Sequence, residues 1–153
     1  MTSGNEYASY GNGTLVVKHP SDYPNAYDLR PKLTKAGTDA FVDAAEAKLA
    51  SCVKEPKLRP AGCPFFNLRE REGQDIDEKT IKRTIEADPW SNAEPKLDYQ
   101  DPAIAEVSVT IDWSATAKGR ENGRTATFTA DGYDYVTLRA KITEDPLKPV
   151  FNR

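Results

Sequence analysis

Between Ala103 and Ala117 the sequence changes character at every residue. Ala105, Val107, Val109, Ile111, Trp113 and Ala115 alternate with Glu106, Ser108, Thr110, Asp112, Ser114 and Thr116. A period of two belongs to a strand with one face against a core and the other in water, because successive side chains point to opposite sides of the pleat. No helix accommodates such a run, since it would spread the apolar residues around the whole cylinder. The chain must therefore build an antiparallel sheet wet on one side, and something must cover the dry side.

The segment that follows supplies partners for this strand. Gly119-Arg120-Glu121-Asn122-Gly123 reads as a turn, and Ala126, Phe128 and Ala130 alternate with Thr125, Thr127 and Thr129 on a return strand. Asp131-Gly132 reads as a second turn. A two-residue loop there would place Val136 and Leu138 on the wrong side. A three-residue loop with Gly132 as its left-handed residue brings Val136, Leu138, Ala140 and Ile142 onto the apolar face, in a last strand that ends before Asp145-Pro146.

The cover for the dry face is found at Thr38 to Val53. Val42, Ala45, Leu49 and Cys52 fall on one helical stripe, with Phe41 and Val53 beside it. Thr38 can cap the first turn, Asp39 and Asp43 lie near the positive end, Lys48 and Lys54 lie near the negative end, and Pro56 ends the helix. Cys52 at the end of this helix and Cys63 inside Pro60-Ala61-Gly62-Cys63-Pro64 suit a local disulfide, which persists only in an oxidising compartment. Zinc would need more ligands than two cysteines and His19 provide, and the spacing is not that of a redox Cys-x-x-Cys pair. Two buried cysteines without a bond between them are the remaining alternative.

The rest of the chain is less regular. Thr14 to Lys18 reads as a strand after the turn-forming Asn12-Gly13, with Tyr7 to Tyr10 as its partner, and residues 1–13 read as a flexible or weakly paired segment before a single domain spanning 14–153. Pro20, Pro24 and Pro31 mark an ordered crossover loop carrying Tyr23 and Tyr27. Thr80 to Ala87 fits both periods, and its β-branched content favours a strand. Lys96 to Tyr99 forms another short strand after Asp88-Pro89-Trp90. The fold class is α+β: a twisted antiparallel sheet of about four to six strands with one main helix packed on it, a cystatin-like or nuclear-transport-factor-like layering.

Composition narrows the functions. With 21 basic and 24 acidic residues and a formal charge of -3, the chain has no basic block of the kind that binds nucleic acid. Arg69-Glu70-Arg71-Glu72 alternates in sign and reads as a solvated loop. No apolar run is long enough to span a bilayer. His19, the only imidazole, lies in no nucleophile motif, and no glycine-rich phosphate loop is present. Asp75-Ile76-Asp77-Glu78 lacks calcium-loop spacing and reads as a solvated turn. Asp98, Asp101, Asp112 and Asp134 are the only carboxylates worth weighing for acid-base hydrolysis; Asp112 and Asp134 fall on wet strand faces or near a turn. No cofactor or metal is expected.

The segments Phe41-Val42-Asp43-Ala44-Ala45, Leu49-Ala50-Ser51-Cys52 and Leu58-Arg59-Pro60-Ala61-Gly62-Cys63-Pro64-Phe65 resemble a pattern in the extracytoplasmic C-terminal domains of actinobacterial single-pass membrane proteins. The resemblance implies a domain held outside the membrane by an anchor that this chain lacks, and it carries no catalytic residue. The expected function is a non-enzymatic envelope domain that binds another protein or a cell-wall polymer. Tyr133, Tyr135, Trp90, Tyr99, Tyr23 and Tyr27 are the candidate binding surface. A small-ligand pocket between helix and sheet, lined by Trp113, Phe128 and Leu49, is the second expectation, and a carboxylate-dependent hydrolase the third.

Overall fold

The structure is a computed structural model that describes residues 6–10, 30–63 and 68–152. The strand expected at Thr14 to Lys18, its turn, the loop tyrosines Tyr23 and Tyr27, and His19 lie outside the described residues. Two short strands come first: β1 (Ala8–Tyr10) and β2 (Pro31–Leu33) pair antiparallel. The partner of β1 among the described residues is therefore the segment around Pro31, which was read as the end of a loop.

Helix α1 (Lys35–Lys54) begins one turn earlier than its apolar stripe suggested. Thr34, not Thr38, is the N-cap: its hydroxyl accepts the Gly37 amide at 2.9 Å, three positions on, as a capping threonine should. The same hydroxyl donates to the Glu6 carbonyl at 2.6 Å, and the Thr34 amide donates to the Tyr7 carbonyl at 2.9 Å. One residue thus starts the helix and docks the segment leading into β1. With Lys35 at the first helical position, no acidic side chain lies in the first turn, while Lys54 sits in the last. The buried stripe is Gly37, Phe41, Ala45, Leu49 and Cys52, so Phe41 belongs to it and Val42 lies beside it.

The main sheet is built around two long strands. β5 (Ile104–Glu121) and β6 (Arg124–Lys141) pair along their whole lengths, from Ile104 opposite Lys141 to Glu121 opposite Arg124. Their turn is shorter than the sequence suggested: it is Asn122 and Gly123, both with positive φ (50° and 79°), the pattern of a hairpin turn whose twist matches its strands. Gly119 and Arg120 stay in the strand. A Cβ on Gly119 would lie 2.1 Å from the Asp75 carbonyl oxygen of the neighbouring strand, so its glycine serves close approach rather than a turn.

The expected turn at Asp131-Gly132 does not exist. Gly132 stands opposite Trp113 inside β6, and the even-numbered residues from Ala126 to Ala140 share one face without interruption. No bulge is needed to bring Val136 and Leu138 to the core, because a continuous strand already does so. Pairing with an equally long β5 outweighs the turn preference of Asp-Gly, and the missing Cβ of Gly132 leaves room for the Trp113 ring, whose Cζ2 would lie 3.3 Å away.

β3 (Gln74–Ile85) and β4 (Lys96–Leu97) both pair with β5, on the edge away from β6, and β7 (Val150–Asn152), which was not anticipated, pairs with the end of β6. Of the strand expected over Thr80 to Ala87, residues 80–85 are strand, as the β-branched density indicated, and β3 ends at Ile85. Asp75 to Glu78 also belongs to β3 and is not a free turn. The β3–β5 register shifts between Asp77 and Lys82, where four residues of β3 face one of β5. This odd offset swaps the inward parity, so both Ile76 and Ile81 are buried. Thr80 stitches the bulge, its hydroxyl accepting the Lys118 amide at 2.7 Å and lying 2.7 Å from the Asp77 carbonyl.

The result is an α+β domain: one helix against a twisted five-stranded antiparallel sheet, with a separate two-stranded sheet at the helix start. Phe41, Ile111 and Leu138 belong to one core in which all three are fully buried. The disulfide Cys52–Cys63 is formed, with a Cα–Cα distance of 5.9 Å, and ties the last turn of α1 to the loop beyond it.

Candidate functional site

Alternation decides which side chains β6 offers to solvent. Tyr133 and Tyr135 are odd-numbered, so they stand on the wet face next to each other, 81% and 74% exposed. Two residues apart on a strand, they are about 7 Å apart along its direction. Across from them on β5 lie Asp112 and Thr110, with Ser108 and Thr137 beyond, the last two joined through their hydroxyls at 2.8 Å. The surroundings of the two rings are hydroxyls and charges, not apolar side chains.

The other candidate aromatics are elsewhere. Tyr99, 66% exposed, carries the Arg30 guanidinium 3.6 Å from its ring centroid, just past β4. Beside it, Asp98 accepts the amides of Gln100 and Asp101 at 2.7 and 3.0 Å and pairs with Arg139, which also lies 3.6 Å from Glu106. Those two amides chiefly, and Arg139 after them, hold the Asp98 carboxyl below its ordinary range against the opposing effect of burial. Trp90 is buried at 9% exposure, so it is not a projecting contact. It belongs to the loop that crosses the gap between β3 and β4 along the β5 edge, turned by its own amide bonding Asp88 at 2.8 Å.

Trp90 instead forms one wall of a groove of about 880 Å³ running between α1 and the end of β3. Leu49, Ala50 and Val53 line it from the helix and Ile85 and Pro89 from the opposite side. Its rim is acidic, with Asp43 and Glu46 on the helix and Asp88 on the loop against Lys54 alone, while the Glu86 carboxylate turns to Ser114. Sequence reasoning did not assemble this groove. Asp43 and Glu46 are separated from Glu86 and Asp88 by the disulfide loop and all of β3, and no local spacing signals their meeting.

Of the residues weighed for a pocket beneath the helix, Trp113 and Leu49 are buried in the core and Phe128 is half-buried. Trp113 is also where Asp134 is found. Contrary to the wet-face expectation, Asp134 is even-numbered on an uninterrupted β6, turns to the dry face, and accepts the indole N–H at 2.7 Å. The assumed turn at Asp131-Gly132 hid this. Asp112, by contrast, is on the wet face. Arg83 is 7% exposed on the inner face of β3 and donates to the carbonyls of Glu55, at 2.7 Å, and Lys57. Burial lowers its pKa, opposed by Glu55 and Glu78. Its role is to hold the exit of α1.

Among the described residues no group of three or more His, Cys, Asp or Glu is placed to hold a metal ion, and no helix is long and apolar enough to cross a membrane. Comparison with family models, with curated proteins and with solved structures returned no match.

Proposed function

We propose that this chain is a non-enzymatic, extracytoplasmic envelope domain that binds a neutral cell-wall polysaccharide across the wet face of its sheet. The observation that carries the reading is the exposed pair Tyr133 and Tyr135 on an open strand face. Large aromatic rings held this far into water on a rigid sheet are a functional surface by default, since core packing gives no reason for them. Their ring of Thr110, Asp112, Ser108 and Thr137 favours a hydroxyl-rich ligand over a protein, whose contact hot spots sit among side chains that exclude water. The disulfide supports a location outside the cytosol. The resemblance of the Cys52 and Pro60-Ala61-Gly62-Cys63-Pro64-Phe65 pattern to actinobacterial membrane proteins supports an anchored topology in the envelope.

The test is retention of the purified domain on insoluble wall material stripped of protein. Wild type is expected to be retained. Tyr133→Ala with Tyr135→Ala is expected to lose about 1 kcal/mol per ring, near fivefold each, with unfolding unchanged because both side chains are exposed. Retention equal in wild type and double variant would overturn the role of this face, and retention on untreated wall but none on the stripped material would replace the polysaccharide with a protein partner.

A further inference from the structure

We infer that the groove between α1 and the Trp90 loop is a second binding site, for an extended protein segment that presents Lys or Arg beside aliphatic side chains. Two properties of the groove specify that occupant. Its floor is apolar, with Leu49, Val53, Ile85 and Trp90 available to a small aliphatic side chain, and its volume of about 880 Å³ is in the range of ligand-binding clefts. Its rim is lopsided in charge: Asp43 and Glu46 line it from the helix and Asp88 from the loop, with Lys54 the one cation among the lining residues. Carboxylates on both walls repel an anionic polymer and attract a cation that lies along the trough, while the floor rewards the apolar residues between its charges.

The walls are suited to holding such a segment in place. One is a helix fixed at its end by the disulfide and by Arg83, and the other is a loop braced by the bond from Trp90 to Asp88 and by Ser114 bonding Glu86. The groove is open to solvent, so an extended chain can reach its apolar floor. A neutral sugar chain has no charge to match this rim, and the groove is formed by other elements than the tyrosine face. The domain then joins wall polysaccharide on one surface to a basic protein segment on another.

The probe is a fluorescent decapeptide of alternating Lys and Leu, titrated into the oxidised domain and followed by anisotropy. Lys-Ser and Glu-Leu decapeptides serve as controls. The Lys-Leu peptide is expected to bind at least tenfold more tightly than either control. Asp43→Asn with Glu46→Gln should weaken it about tenfold and flatten its salt dependence. Ala50→Arg, an exposed helix position that fills the trough, should abolish binding while leaving thermal unfolding and wall retention as in wild type. The Tyr133→Ala, Tyr135→Ala variant should bind the peptide normally, which keeps failure of this site distinct from failure of the tyrosine face. Equal binding of the Lys-Leu and Lys-Ser peptides, undiminished binding by Ala50→Arg, or preference for the Glu-Leu peptide would each overturn the inference.

Discussion

Gly37 shows how a single position can reverse the sign of a general rule. A glycine in the first turn of an exposed helix would gain about 1 kcal/mol on replacement by alanine. Here the Cβ would lie 2.1 Å from the Tyr7 carbonyl oxygen, which is main chain and itself bonded to the Thr34 amide. Gly37→Ala should therefore cost about 1–3 kcal/mol in urea unfolding, as overpacked sites do. Hydrogen exchange should show the loss concentrated at the β1 amides. Nothing local in the sequence marks this glycine, because the residue it must avoid is thirty positions away. The same holds for Asp134: the turn expected beside it suggested solvent, whereas the continuous strand turns it inward, where the indole of Trp113 satisfies its carboxylate.

At the scale of elements, the covalent and polar ties at the end of α1 act together. The disulfide closes the loop after the helix, and Arg83 draws the Glu55 and Lys57 carbonyls onto the sheet. Removing the bridge with Cys52→Ser and Cys63→Ser should lower stability by about 2–3 kcal/mol in denaturant titration, since an open loop of this length regains its unfolded freedom. The fold should survive, because Phe41, Ala45 and Leu49 keep the helix on the sheet. The helix and the alternation of β5 were legible, for each carries its own period, whereas Thr80 to Ala87 fits both periods and only its β-branched content pointed to the strand found at residues 80–85. The boundaries were not legible. Thr34 as cap depends on the chain leaving β2, and β6 is continuous because β5 is long enough to pair with all of it.

For the whole molecule, the Asp98 cluster links the β4 side of the sheet to β6 through Arg139. Since folding holds the Asp98 carboxyl below its unfolded value, its contribution is present above about pH 4 and is lost as pH falls through the lower folded value. Urea midpoints followed from pH 7 to pH 3 should fall in the acid limb, and Asp98→Asn should make that limb shallower. An equally steep limb in the variant would assign the acid sensitivity to other carboxylates. The exposure of Tyr133 and Tyr135 was within reach of strand parity, but their place in mid-strand opposite Asp112 and Thr110 was not, because a turn was expected beside them. The acidic groove could not, because its walls are far apart in the chain and meet only when the helix lies over the sheet edge. The sequence by itself determined the local terms: strand, helix and the pair of cysteines, each set by the periodicity and chemistry of neighbouring residues. Only the tertiary structure decided where the strands stop, which way Asp134 turns and what Trp90 faces. Those outcomes depend on which distant segment offers a partner, and a partner's position is a property of the folded chain.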